Sequence, residues 1–204
     1  MKNLFLIFML GIASYTYSQS LDYVVERKGK QIGTHSFNFN GTQNDDMSVQ
    51  ISTDVVVKLG FIPVYKFIHE ATEIWKKGIL IGYDSTTNDN GTDKFLRIHD
   101  TSIHSSRGDF SSLEKTYTPA SLWNISTIQT AELMNTLDGS IMNIEIEDLG
   151  EEDIQTTGKK ILKARHFSMT GDLARELWYD SHNRLVHVQF LGDDGSIIDY
   201  ILDE

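Results

Sequence analysis

The sequence predicts an all-β fold, a curved antiparallel meander of about 11–12 strands that forms a half-barrel or an open barrel. Composition is the first observation: Ile, Val and Thr together number 47, whereas Ala numbers 6 and Pro 2. β-branched side chains suit the pleated surface of a strand and lose rotamer freedom in a helix. The second observation is an alternation over residues 46–59, where Met47, Val49 and Ile51 begin a face that continues to Leu59. A period of two over this length favours a strand over a helix.

Short turn motifs divide the chain into strands. Each motif contains a Gly beside Asn, Asp or Lys, and such residues tolerate the positive φ angles that tight hairpins require. The motifs are Lys28-Gly29-Lys30, Asn40-Gly41, Asn90-Gly91, Asp138-Gly139 and Asp194-Gly195. Consecutive strands joined by short turns make an antiparallel meander. The predicted strands lie near 21–28, 31–40, 46–59, 64–76, 79–87, 94–100, 102–107, 140–148, 160–170, 173–180, 184–192 and 196–202.

The segment from 118 to 138 interrupts the strand pattern. Ala131, Met134 and Leu137 recur at three-residue spacing, so a short helical segment is predicted near 120–137. We expect this segment to cover one opening of the curved sheet. Since no internal repeat or low-complexity linker divides the chain, residues 19–204 are predicted to form a single β-rich domain.

The first residues are typical of a secretory signal peptide. Lys2 provides a positive start, the run from Leu4 to Ala13 is apolar, and small or polar residues follow as far as Ser18. The apolar run is too short to cross a bilayer as a helix, which needs about 20 residues. The sequence therefore predicts a signal peptide over 1–18 and an exported, soluble protein that is periplasmic or extracellular and does not span a membrane.

Charge and composition exclude several classes of function. The 204 residues contain no Cys, which excludes disulfides, thiol catalysis and Cys-type metal sites. The formal net charge of −11 disfavours nucleic-acid binding, because that affinity comes mainly from Lys and Arg. Catalytic signatures such as Gly-x-Ser-x-Gly, His-Glu-x-x-His and the P-loop are missing from the sequence. We therefore expect no cofactor and no metal, and no catalytic residue is assigned.

Aromatic residues on one strand suggest a ligand pocket. His69 lies between Phe67 and Ala71 on a face that also presents Tyr65 and Trp75. Aromatic side chains with one or two His can form an apolar pocket with a polar anchor. The alternative is a core His satisfied by a hydrogen bond. His35, which shares a face with Phe37 and Phe39, and Trp123 in the covering segment extend the candidate pocket. Glu70 and Glu73 do not fit it easily, since one of them must face inward or lie beyond the core.

The C-terminal part carries a resemblance to a known group of proteins. Leu177-Trp178-Tyr179-Asp180, Arg184-Leu185-Val186, Asp194-Gly195-Ser196 and Tyr200 read as a triple hairpin. This block resembles exported families of unknown function in Gram-negative bacteria, particularly of the Bacteroidetes type. The resemblance extends upstream through Gly33, Glu73, 88–91, Pro119, Trp123 and 138–139.

The resemblance implies no activity and no catalytic residue. The expected fold is similar to the half-barrels of periplasmic lipoprotein carriers, which hold acyl chains under a helical lid. A likeness of fold does not establish function. Trp178 joins the pocket candidates, with core packing as the alternative.

Three functional interpretations follow. The first is a non-enzymatic binding module of the cell envelope, with an apolar lipid or acyl ligand held by Tyr65, Phe67, His69, Trp75, Trp123 and Trp178. The second is a structural protein that docks an envelope partner through a sheet edge. The third, a hydrolase or isomerase, would use His69 or His166 with a carboxylate.

Overall fold

The computed structural model describes residues 18–42, 45–99, 102–111 and 118–204. The predicted signal peptide lies outside these ranges except for Ser18. The described residues form fifteen strands in one sheet. They are β1 (Ser18–Arg27), β2 (Lys30–Gly41), β3 (Asp46–Leu59), β4 (Ile62–Lys76), β5 (Ile79–Asp89), β6 (Thr92–His99), β7 (Ser102–Ser105), β8 (Gly108–Ser111), β9 (Thr118–Pro119), β10 (Glu132–Met134), β11 (Ile141–Gln155), β12 (Ile161–Gly171), β13 (Arg175–Asp180), β14 (Leu185–Leu191) and β15 (Ile197–Leu202).

The sheet is open and almost wholly antiparallel. Its order is β8-β7-β6-β5-β4-β3-β2-β1-β15-β14-β13-β12-β11-β10-β9, and only β9 and β10 pair in parallel. Two meanders, β1–β8 and β9–β15, are therefore joined where the first and last strands meet, with Val25 opposite Tyr200. In the described residues the two edge strands, β8 and β9, do not pair with each other.

The all-β prediction is confirmed, and each of the twelve predicted strands is present. The strand predicted over 46–59 has those bounds in the structure. β8, β9 and β10 were not predicted, because they contain only four, two and three residues. A period of two cannot be recognised over such short runs.

The interrupting segment contains a short helix, as predicted, but the helix has only five residues. A 3-10 helix spans Ile125–Gln129 and begins at Asn124, whose side chain accepts a hydrogen bond from the backbone of Ser126 at 3.0 Å. The helical spacing noted after Ala131 is misleading. Residues 132–134 form β10, which pairs with both β9 and β11.

Residues 120–140, here called the crossing segment, lie across the inner face of the sheet. The Tyr83 hydroxyl on β5 donates to the Thr136 carbonyl at 3.3 Å. The Tyr179 hydroxyl on β13 donates to the Leu122 carbonyl at 2.6 Å. Since β5 and β13 belong to different meanders, the crossing segment connects the two halves of the sheet from inside.

Candidate binding cavity

The crossing segment separates two hollows on the inner face. The first cavity, of about 350 Å³, lies among β1–β4, β13–β15 and one side of the segment. The second cavity, of about 360 Å³, lies on the other side, beside Trp123 and the β13–β14 turn. A larger hollow of about 530 Å³ lies on the outer face and is lined mainly by polar side chains such as Gln50, Glu70 and Asp84. We regard that hollow as a solvated trough, because these side chains alternate with the core-facing residues.

A row of polar side chains crosses the floor of the first cavity. The strand register places Tyr23, His35, Thr53, His69 and Thr87 side by side on five adjacent strands. The His35 Nδ1 and Thr53 Oγ1 atoms are 2.7 Å apart, and His69 Nδ1 and Thr87 Oγ1 are 2.8 Å apart. Each imidazole is therefore held by a Thr on the next strand.

Both imidazoles are uncharged at neutral pH. Burial, with a smaller contribution from the neighbouring His69, lowers the pKa of His35 from 6.5 to about 3. Burial lowers the pKa of His69 from 6.5 to about 4. The floor of the first cavity thus offers hydrogen-bonding groups without positive charge.

Arg175 is the cation of the first cavity. Its guanidinium carbon lies 4.0 Å from the centre of the Phe190 ring, and Nη1 donates to the Ala174 carbonyl at 2.7 Å. No ion pair joins Arg175 to another of the described residues. Burial lowers the pKa of this guanidinium, which remains protonated because arginine titrates so high. Asp172 also lines the cavity, but its Oδ2 accepts the Asn143 backbone N–H at 2.9 Å.

Glu73 is wholly buried beneath the crossing segment. Its Oε2 accepts the indole N–H of Trp75 at 2.7 Å and that of Trp123 at 2.8 Å. Its Oε1 has no hydrogen-bond partner in the described part of the chain. Burial raises the pKa of Glu73, and the nearby Ser121 hydroxyl and the two indole donors oppose that rise. The inward carboxylate expected from the sequence is therefore Glu73, whereas Glu70 faces outward and accepts from Ser52 at 2.6 Å.

The structure separates the six predicted pocket residues. Phe67 and His69 line the first cavity, and Trp123 lines the second. Trp75 is buried against Trp123, with their rings 5.6 Å apart. Tyr65 is exposed and donates to Asp89 at 3.0 Å. The set does not form one pocket: the crossing segment separates Phe67 and His69 from Trp123, and Tyr65 lies outside both cavities.

Trp178 lies on the outer face, away from both cavities. Its ring stacks between His166 at 4.2 Å and His187 at 4.7 Å. His166 in turn contacts Glu152 Oε1 at 3.1 Å and Glu176 Oε2 at 2.7 Å. The His–carboxylate arrangement considered for an enzyme therefore exists at His166 but outside the cavities, while His69 is paired with Thr87.

Sequence reasoning missed the role of three cavity residues, Thr53, Arg175 and Tyr200. The alternation of inward and outward side chains along each strand could have identified them, because it places them on inward positions of β3, β13 and β15. An inward Arg in a short strand is a feature that could have been noticed from the sequence.

The fold and cavities define a class of open, barrel-like all-β proteins with a segment crossing the interior. Residues 23–203 match the family described as a domain of unknown function, DUF6134, and the chain belongs to that family. No curated protein matches the chain.

A likeness to a solved structure supports the fold. The chain is similar to the crystal structure of a β-barrel-like protein of domain of unknown function DUF1849 from Brucella abortus, with a TM-score of 0.61. The likeness covers 94% of this chain and 98% of that chain at 8% sequence identity, so it shows the fold alone. Within the described residues, no helix has the length and apolar character needed to cross a membrane.

Proposed function

We propose that this protein is an exported, non-enzymatic binding module of the cell envelope that holds a lipid or acyl chain in the first cavity. The observation that carries the proposal is the cavity itself. Its volume of about 350 Å³ falls within the range of small-molecule sites, about 300–1,000 Å³. Apolar side chains such as Phe67, Leu173, Val188 and Phe190 line it together with the polar row.

The polar groups favour a ligand with an acidic head. Arg175 is a half-buried cation without a carboxylate partner among the described residues, and a ligand carboxylate or phosphate would provide one. The neutral imidazoles of His35 and His69 present no competing charge. A fatty acid or another acyl ligand with an anionic head fits this distribution.

The sheet edges offer less support for the alternative of strand addition. In the part of the chain that the structure describes, β8 has four residues and β9 has two, so the described portion of each edge exposes little backbone to a partner strand. Short edge strands are a common protection against edge-to-edge pairing. The cavity therefore supports a ligand better than the edges support a docked protein.

The first experiment is native mass spectrometry of the protein purified gently from its own envelope. We expect a bound species at near-unit occupancy, which organic extraction releases and identifies as an acyl compound. An unliganded mass that persists after incubation with fatty acids would overturn the proposal.

The second experiment separates the head from the chain. Arg175→Gln is expected to weaken binding of a fluorescent fatty acid about tenfold, because a charge-assisted hydrogen bond is lost. Binding of the matching methyl ester should change little. Arg97→Gln is the matched control, since Arg97 also lies over a phenyl ring, at 5.5 Å from Phe95, but is exposed. Equal losses in both variants would contradict the assignment of Arg175.

A further inference from the structure

The tip of the β3–β4 hairpin is an exposed apolar projection. Nine consecutive residues, 58–66, are all exposed, and none of them is acidic. Phe61 is fully exposed, and Leu59 is 75%, Ile62 67% and Val64 50% exposed. Single exposed apolar residues are ordinary, but a contiguous group of this kind marks a contact surface.

The hairpin tip extends beyond the neighbouring strands. The β2–β3 pairing begins at Gly33 opposite Val55, and the β4–β5 pairing ends at Phe67 opposite Asp89. Beyond Val55 and Phe67, the two strands of the hairpin pair only with each other among the described residues. Two bonds support the base: Asn90 N–H donates to the Lys66 carbonyl at 2.7 Å, and the Tyr65 hydroxyl donates to Asp89 at 3.0 Å. The part of the hairpin beyond Tyr65 therefore projects from the sheet, and substitutions there leave the core intact.

Exposed lysines lie on and beside this tip. Lys58 and Lys66 flank the apolar residues, and the β1–β2 turn at the same end of the sheet adds Lys28 and Lys30. All four lysines are exposed, and none makes an ion pair with a residue that the structure describes. Acidic residues also lie at this end, in and beside the β5–β6 and β14–β15 turns, but Asp89 is paired with Lys94 at 2.9 Å and Asp194 with Arg27, whereas residues 58–66 contain no acidic side chain.

We infer that the β3–β4 hairpin docks the protein onto an anionic lipid membrane, with Phe61 and its apolar neighbours inserted among the acyl chains and the lysines at the headgroups. Lys58 lies two residues before the turn at Gly60 and Phe61, so about 7 Å of strand at 3.3 Å per residue separates it from the end of the hairpin. Interfacial segments insert by about 5–10 Å, so the lysines would lie at the depth of the lipid phosphates.

A lipid surface explains the tip better than a protein partner does. A side chain exposed over its whole surface, such as Phe61, needs an environment that closes around it from all sides. Fluid acyl chains provide this, and anionic headgroups complement the lysines. Phe67, which follows the tip directly, lines the first cavity, so docking would bring that cavity towards the membrane. The inference goes beyond the proposed function and does not require it.

Vesicle binding tests the docking directly. The full chain is expected to co-sediment with vesicles of mixed phosphatidylcholine and phosphatidylglycerol, and much less with phosphatidylcholine alone. Phe61→Ser should weaken this binding about tenfold, and the double change Lys58→Glu and Lys66→Glu should weaken it at least as much at low salt. Because the chain contains no Cys, Phe61→Cys carries a single environment-sensitive dye, whose emission should rise on insertion.

Matched controls lie at the opposite end of the sheet. Ile79→Ser removes an exposed apolar side chain there, and Lys76→Glu reverses an exposed charge, so neither should change vesicle binding. Absence of co-sedimentation with anionic vesicles, or equal losses for Ile79→Ser and Phe61→Ser, would overturn the inference. Fatty-acid binding measured on the same variants should be unchanged, so failure of docking is distinguishable from failure of the proposed function.

Discussion

The indole N–H of Trp123 donates to the buried carboxylate of Glu73 at 2.8 Å, and this bond ties the crossing segment to the wall of the sheet. Trp75 donates to the same oxygen from within β4. A single carboxylate oxygen thus accepts from two indoles, one that is two residues from Glu73 along the chain and one that is 50 residues away. Trp123 also lines the second cavity, so this bond fixes the position of one wall of that cavity.

Glu73→Gln should stabilise the protein relative to the wild type as pH rises. Burial raises the pKa of Glu73, so the folded state holds the proton more tightly than the unfolded chain does. Wild-type stability from this group is therefore present at low pH and declines as pH rises above about 4.5, whereas an amide does not titrate. Urea unfolding of both proteins at pH 5 and pH 8 measures the difference.

Glu73→Ala is the contrasting change. It leaves two buried indole donors without an acceptor, at a cost of about 3 kcal/mol in the free energy of unfolding. An alanine variant as stable as the glutamine variant at both pH values would show that the indoles do not depend on this acceptor.

Tyr179→Phe should loosen the crossing segment. The buried Tyr179 hydroxyl donates to the Leu122 carbonyl at 2.6 Å, and its loss leaves that carbonyl unpaired. We expect a destabilisation of about 1–2 kcal/mol. Tyr65→Phe, which removes an exposed hydroxyl, should cost less than about 0.5 kcal/mol. Hydrogen exchange of the amides in residues 120–130 should accelerate in the Tyr179 variant alone.

His69→Gln should reduce the loss of stability in acid. Burial lowers the pKa of His69 from 6.5 to about 4, so the unfolded chain takes up a proton that the folded protein excludes. The free energy of unfolding is not reduced by this group above pH 6.5, and the group lowers it by about 3 kcal/mol as pH drops towards 4. Glutamine does not titrate and can still bond to Thr87.

The exposed His182 provides the control for that prediction. Its side chain is 81% exposed, so His182→Gln removes an imidazole without disturbing buried packing. Unfolding free energies at pH 7.5, 6 and 5 distinguish the two variants. Parallel profiles for the wild type and His69→Gln would contradict the assigned neutral state.

Gly33→Ala should lower the stability of the fold, whereas Gly82→Ala should raise it. A Cβ at Gly33 would lie 2.0 Å from the Asp54 carbonyl oxygen, so the strands would have to separate, at about 1–3 kcal/mol. A Cβ at Gly82 would meet Ile74 at an ordinary 3.5 Å. Its substitution restricts the unfolded chain and should gain about 0.5 kcal/mol. Thermal unfolding of the two variants measures both effects.

The longer strands could be predicted from the sequence because their alternation extends over enough residues to be recognised. β3 has fourteen residues of alternation, and its bounds were predicted correctly. β10 has three, and both Leu133 and Met134 are completely buried. Packing of the crossing segment on both sides, rather than local preference, determines its conformation.

The site was predicted only in part, because register decides which inward residues become neighbours. His69 was recognised as an inward residue, and its partner Thr87 is placed beside it by the β4–β5 register. Trp178 was grouped with the pocket because it is aromatic. In fact its strand positions Leu177 inward and Trp178 outward, where two imidazoles cover it.

The pairing of β1 with β15 has a consequence for folding. Each meander forms from neighbours in sequence, but the middle of the sheet requires contact between strands more than 150 residues apart, such as Tyr23 and Leu202. Closing so long a loop is slow, and β1 exposes an unpaired edge until β15 arrives. β15 lies between β1 and β14, so its loss would separate the two meanders instead of shortening one edge of the sheet. The chain is most prone to aggregation before β15 has paired with β1.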